Sequence, residues 1–102
     1  MDEYFISKRL TQLRTQKDVS ARDMSLSIGQ ANNYINNIEI QKTLPSMQAF
    51  FSICDYFGIT PQEFFDEGNA CPEQLRELLG KLKKLNPHKL ELIASLVDNL
   101  ID

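Results

Sequence analysis

The chain has 102 residues, a formal net charge of −3, 42% hydrophobic residues and 25% charged residues. These values fit a small globular protein and exclude a disordered chain. No apolar run is long enough to cross a membrane and no signal-like leader opens the chain, so a cytoplasmic location is expected.

Cysteine and histidine counts limit the chemistry that this chain can support. Cys54 and Cys71 are the two cysteines and His88 is the single histidine. A disulfide scaffold and a four-ligand zinc site are therefore excluded, and no nucleophile–base group suggests an enzyme. We expect no metal and no cofactor. The acidic pI of ≈ 5.1 argues at first against nucleic acid as the partner.

Apolar residues recur at helical spacing along the whole chain, and no stretch alternates with the period of a strand. Capping residues divide this pattern into segments. Thr60 and Glu63 form a capping box, Ser20 marks the start of a second helix, and Asn86 is a candidate N-cap. The sequence therefore predicts an all-α protein with helices at about residues 4–17, 20–28, 31–39, 46–57, 61–67, 73–85 and 87–101.

Residues 21–38 predict two short helices separated by a tight turn. Ile35 and Ile38 give the second helix an inward face, and Ser25 is small where the two helices must approach closely. Gly29 lies at the turn, where it can adopt the positive φ that most residues resist. This spacing is typical of a helix-turn-helix, whose second helix lies in the major groove of DNA.

With these motifs in order, residues 4–67 resemble the lambda-repressor-like family of DNA-binding domains (phage repressor/Cro, XRE family). The segments that carry the resemblance are residues 10–14 (LTQLR), 20–39, 44–46 (LPS) and 57–65 (FGITPQEFF). Three positions depart from the family pattern. Ala21 replaces a phosphate-binding glutamine, Ser25 replaces alanine, and Gln41 replaces a glycine in the turn after the second helix of the motif.

The resemblance implies a recognition helix that runs from Ala31 to Glu39 and reads DNA. The implied base-reading residues are Gln30, Asn32, Asn33 and Asn37. The expected phosphate contacts are Arg22, Tyr34, Asn36, Lys42 and Thr43. Carboxamides donate and accept together, which matches the N6 and N7 atoms of adenine. The alternative is that asparagines favour helix ends and turns, so that this cluster is merely solvated.

The resemblance also implies a structural ion pair between Arg14 and Glu39, which would join the first helix to the end of the recognition helix. The alternative is a surface pair of little energetic value.

An aromatic run at helical spacing predicts a core around the fourth and fifth helices. Its members are Phe50, Phe51, Phe57, Phe64 and Phe65. Cys54 lies on the same stripe and is expected to be a small buried residue, whereas Cys71 lies in a linker.

We expect residues 1–69 to form the helix-turn-helix DNA-binding domain and residues 70–102 to form a C-terminal helical hairpin. Two leucine-rich faces in the second segment are too extensive for 33 residues to bury alone. The hairpin is therefore expected to dimerise or to dock on its own domain. The residues expected at a dimer contact are Leu90, Ile93, Val97 and Leu100.

Charge is distributed unequally along the chain, which reduces the objection to a nucleic-acid partner. Residues 1–46 carry a net charge of +1 and residues 47–102 carry −4. The sequence thus predicts a dimeric transcriptional repressor that binds a near-palindromic operator in double-stranded DNA, with no membrane and no small-molecule ligand. The alternatives are an antitoxin that represses its own operon, and a protein-interaction adaptor that keeps the fold without DNA affinity.

Overall fold

A computed structural model describes residues 4–66, 68 and 70–101. The regular secondary structure of these residues is helical, with no strand among them, which confirms the all-α class. The helices are α1 (Phe5–Lys17), α2 (Ala21–Ser27), α3 (Tyr34–Glu39), α4 (Met47–Phe57), α5 (Pro61–Phe64), α6 (Pro72–Leu82) and α7 (Pro87–Ile101). In the described part of the chain, no helix is both long and apolar enough to span a membrane. The chain divides into two compact units, Met1–Pro72 and Glu73–Asp102.

Several helices begin close to the predicted positions, and each of these has a side-chain N-cap. The hydroxyls of Ser20, Ser46 and Thr60 each accept a hydrogen bond from the backbone N–H three residues further on, at 2.9–3.1 Å. The Glu63 carboxylate accepts from the backbone N–H of Thr60 at 2.9 Å, which completes the predicted capping box. Asn86 caps α7 in the same way. Each cap satisfies a backbone donor that the helix itself cannot pair.

The core of the first unit is formed by apolar residues from α1 to α5, including both isoleucines predicted to face inward from α3. Its buried members are Leu10, Leu13, Met24, Ile35, Ile38, Phe50, Ile53, Cys54, Ile59 and Phe64. Phe50 and Phe64 meet edge to face, with ring centroids 5.1 Å apart. Burial raises the pKa of the Cys54 thiol to about 11, so that this cysteine stays neutral at physiological pH.

Of the five phenylalanines predicted for the core, Phe50 and Phe64 are buried, Phe57 is half-buried against the core, and two are exposed. Phe51 is 49% exposed and Phe65 is 37% exposed. Phe51 directly follows the buried Phe50 on α4, and a step of one residue turns a side chain about 100° around a helix. Phe65 lies one residue beyond the end of α5. The prediction was therefore wrong for these two residues.

Arg9 is a buried charged residue that the sequence did not reveal. Its side chain is on α1, yet it donates from Nε to the carbonyl of Phe64 at 2.7 Å and from Nη2 to the carbonyl of Glu63 at 2.9 Å. Nη1 donates to Oε1 of Gln12 at 2.7 Å. The residue is 3% exposed, and desolvation lowers the pKa of its guanidinium while Asp66 acts in the opposite direction. Arg9 thus joins α1 to the C-terminal end of α5.

The second unit consists of α6 and α7 and exposes much apolar surface. No residue of α7 is buried. The leucines, isoleucine and valine predicted for a dimer contact are 36–74% exposed. Isolated exposed leucines are ordinary, but a continuous apolar stripe on one helix marks an interaction surface.

The backbone turns sharply after α3. The N–H of Gln41 donates to the carbonyl of Ile38 at 3.0 Å, and the N–H of Lys42 donates to the carbonyl of Asn37 at 2.9 Å. This pair of hydrogen bonds forms a Schellman motif, in which the first residue past the cap is left-handed and usually glycine. Here Gln41 occupies that position with φ 67°. Because Gln41 stands where the family has glycine, its side chain is attached to a residue in the strained left-handed conformation.

We expect Gln41→Gly to stabilise the first unit by about 1 kcal/mol, because glycine removes the steric cost of the left-handed conformation. The lost contact from the Gln41 side chain to the Ser7 hydroxyl is long, at 3.4 Å, and contributes little. The thermal midpoint should rise by roughly 4–8 °C. Gln16→Gly is the control, because Gln16 is exposed and helical, and this change should lower the midpoint. A lower midpoint for Gln41→Gly would contradict the strain argument.

Candidate nucleic-acid interface

Helices α2 and α3 form the predicted helix-turn-helix. α2 ends at Ser27, and Gly29 follows with φ 78°, a conformation that glycine adopts without steric cost. The N–H of Gln30 donates back to the carbonyl of Ser25 at 2.9 Å. These contacts turn the chain so that α3 packs against α2.

The helix of the motif that carries the asparagines is shorter than predicted. It begins at Tyr34 and not at Ala31. The N–H of Tyr34 donates to the carbonyl of Ala31 at 3.0 Å, so the three residues before the helix form a turn. Asparagine is a poor helix former, which explains why Asn32 and Asn33 stay outside the regular helix.

Ser25, which lies on the neighbouring helix α2, caps the N-terminus of α3. Its side chain is fully buried, donates to the carbonyl of Ala21 at 2.7 Å, and accepts from the backbone N–H of Ile35 at 2.9 Å. Ile35 N–H is one of the donors that an N-cap normally satisfies. In the sequence, Ser25 stands out only as a small residue. The serine that replaces the family alanine was the available signal for this cap.

The outer face of α3 and of the preceding turn is lined with carboxamides. Ile35 and Ile38 point into the core, and the opposite side carries Asn33 and Asn37, one helical turn apart. The N–H of Asn37 donates to the carbonyl of Asn33 at 3.0 Å. Asn33 occupies the N-cap position of α3, yet its side chain makes no capping hydrogen bond. Its carboxamide therefore remains available to a ligand.

The other expected base-reading and phosphate-binding residues belong to α2, to α3 or to the turns before and after α3. Those exposed to solvent are Arg22, Asn32, Asn36, Lys42 and Thr43, whereas Gln30 is half-buried, as is Asn37 on the face itself. Lys42 follows the turn after α3, and Arg22 lies in the first turn of α2. Both cations thus lie on segments that adjoin α3, one on the helix packed against it and one on the turn that follows it.

Tyr34 differs from the other expected phosphate contacts because its ring is half-buried. Burial raises the pKa of its phenol, and a backbone hydrogen bond from Ser46 acts in the opposite direction. The hydroxyl therefore lies beside the N-terminus of α4, where backbone amides favour an anion.

Arg14 and Glu39 form a bidentate ion pair. Nε of Arg14 donates to one carboxylate oxygen at 2.6 Å, and Nη2 donates to the other at 3.0 Å. Nη1 of Arg14 also donates to the carbonyl of Val19 at 2.9 Å. The side chains are only 19% and 11% exposed, and the hydrogen bond to Glu39 raises the pKa of Arg14. The pair holds α1 against the last residue of α3.

Glu39→Gln is expected to destabilise the protein by about 2–3 kcal/mol, the lower part of the range for breaking a buried pair, because both side chains keep some contact with water. The urea midpoint should fall by roughly 1–2 M. Asp55→Asn makes the same carboxylate-to-amide change at an exposed position of α4 and should leave the midpoint nearly unchanged. Equal midpoints for the two variants would show that the pair has little structural value.

Comparison with known proteins places the motif in a family. A helix-turn-helix family model matches residues 10–64, which is more than half of the chain. Searches of curated proteins and of solved structures gave no significant match. The matched region contains α2, the turn, α3 and α4, together with the buried core of the first unit. The chain therefore belongs to the XRE-type, lambda-repressor-like helix-turn-helix family of DNA-binding transcription regulators.

Proposed function

We propose that the protein is a dimeric repressor that places α3 and the turn before it in the major groove of an operator. One observation carries this proposal. The face of α3 opposite the buried Ile35 and Ile38 carries carboxamides, and Asn33 at its N-cap position makes no capping bond. A surface of this kind fits the edges of base pairs, which present paired donors and acceptors in the major groove.

The residues proposed to read bases are Gln30, Asn32, Asn33 and Asn37. The residues proposed to contact phosphates are Arg22, Tyr34, Asn36, Lys42 and Thr43. Phosphate contacts fix the position and register of the helix, while contacts to base edges carry the specificity. Two exposed cations on the segments that adjoin α3, together with the neutral, amide-rich helix itself, support this division of roles.

The apolar stripe of α7 supports dimerisation through Leu90, Ile93, Val97 and Leu100. Two such chains related by a two-fold axis would present two α3 helices about 34–36 Å apart, one helical turn of DNA. A near-palindromic operator follows from that symmetry. Repression would result when the bound dimer blocks a promoter, and this role places the protein in the cytoplasm.

The test is selection of binding sites from a random duplex library with the full-length protein, followed by titration of the selected site at several salt concentrations. We expect a dyad-symmetric motif. Arg22 and Lys42 supply two exposed cations per protomer, so a dimer should neutralise about four phosphates. The slope of log K against log salt should then be about −4.

The competing function is a protein-interaction adaptor, which the net charge of −3 and the absence of a basic residue between Asp23 and Lys42 favour. The same experiment separates the two functions. Failure to enrich any motif, even at about 50 mM salt where phosphate contacts are strongest, would contradict the repressor and favour the adaptor. A motif without two-fold symmetry would contradict the dimer alone.

A further inference from the structure

We infer that the operator half-site is read as adenine–thymine pairs, with the carboxamides of Asn33 and Asn37 each binding the N6 and N7 atoms of one adenine. This inference rests on the proposed function, and it specifies the class of DNA sequence that the interface accepts. Three properties of the interface carry it.

The first property is the absence of any side chain suited to guanine or cytosine on α3 and its preceding turn. Guanine is read by arginine or lysine, and cytosine by a carboxylate. Between residues 24 and 41 the single charged side chain is Glu39. Both of its carboxylate oxygens accept from Arg14, at 2.6 and 3.0 Å, so this carboxylate is engaged within the protein. Neutral amides are therefore the groups that remain for reading base edges.

The second property is that a residue of another helix, and not Asn33, caps the N-terminus of α3. An asparagine at an N-cap position usually binds the backbone N–H two or three residues on. Here the buried hydroxyl of Ser25 accepts from the N–H of Ile35 at 2.9 Å, and Asn33 makes no capping bond. The backbone of Asn33, with φ −101° and ψ 6°, also lies outside the extended region typical of a cap. Ser25 thus takes the capping role and leaves the Asn33 carboxamide for adenine.

The third property is the spacing of the two asparagines. Asn33 and Asn37 are joined by a backbone hydrogen bond of 3.0 Å and project from the same side of α3. One helical turn rises about 5.4 Å, whereas base pairs are about 3.4 Å apart along the DNA axis. The two carboxamides therefore reach neighbouring or next-but-one base pairs, so an A·T-rich core of a few base pairs satisfies both.

The experiment uses the site selected with the full-length protein. Each adenine of a half-site is replaced in turn by 7-deazaadenine, which lacks the N7 acceptor, and each guanine by 7-deazaguanine. Binding is followed by fluorescence anisotropy. We expect 7-deazaadenine to weaken binding about 3- to 10-fold at two positions, because it removes the N7 acceptor, one of the two hydrogen bonds of each bidentate contact. The guanine replacements should change binding less than about twofold.

Protein variants assign each adenine to its reader. In Asn33→Ala, 7-deazaadenine at one of the two positions should cause no further loss, and Asn37→Ala should do the same at the other position. Asn99→Ala is the matched control, because Asn99 is an exposed asparagine of α7 outside the interface, and it should keep both effects. A selected site that responds to 7-deazaguanine and not to 7-deazaadenine would overturn the inference while leaving the repressor intact. Failure to select any site would overturn the proposed function and this inference together.

Discussion

If the proposed dimer forms through α7, replacing Ile93 and Val97 together with aspartate is expected to convert it into a monomer and to weaken binding to the proposed operator by about 100-fold or more. The two residues lie one turn apart on the apolar stripe of α7 and are 36% and 46% exposed in the single chain. Two carboxylates forced into an apolar contact carry a desolvation penalty of several kcal/mol each, which a weak helical interface cannot offset. A monomer then binds each half-site independently, without the gain from a linked second site.

Ser95 and Asn99 provide a matched control for this double variant. They are also one turn apart on α7 and exposed, but they lie on the opposite side of the helix from Ile93 and Val97. Ser95→Asp with Asn99→Asp introduces the same charge at the same spacing. Sedimentation velocity and operator titration should show a dimer with wild-type affinity. If the Ile93 and Val97 variant also remained a dimer, α7 would not be the interface.

Arg9→Met should be the most destabilising single substitution among those considered, with a loss of about 3–4 kcal/mol. The guanidinium satisfies the carbonyls of Glu63 and Phe64 and the side chain of Gln12. Methionine preserves much of the volume but leaves these acceptors without a donor in a site that water hardly reaches. A cation at the C-terminal end of a helix also interacts favourably with the helix dipole. Because α5 has only four residues, it depends on tertiary contacts such as those from Arg9 for its stability.

Lys8→Met is the control for Arg9→Met, because Lys8 precedes Arg9 on α1 and is exposed. Urea denaturation followed by circular dichroism should show a midpoint lowered by roughly 2 M for Arg9→Met and a change within experimental scatter for Lys8→Met. Equal midpoints would mean that the carbonyls are satisfied in another way when the guanidinium is removed.

The sequence by itself determined the helices that depend on nearby residues. The capping box at Thr60 and the cap at Ser20 follow from contacts within three positions along the chain, and the spacing of Ile35 and Ile38 places both on one face of a helix. Such contacts form whenever the helix forms, so a local pattern is enough to predict them. The ordered helix-turn-helix motifs likewise predicted the family.

Only the tertiary structure decided the features that depend on distant partners. The start of α3 is capped from another helix by Ser25, which lies ten positions before Ile35. Arg9 is buried because its carbonyl partners lie 54 and 55 positions away along the chain. Neither partner is visible in a local pattern, since hydrogen-bond geometry between helices is set by how the whole core packs. That packing leaves the Asn33 side chain exposed and without a capping role, which is the property that the proposed DNA interface would use.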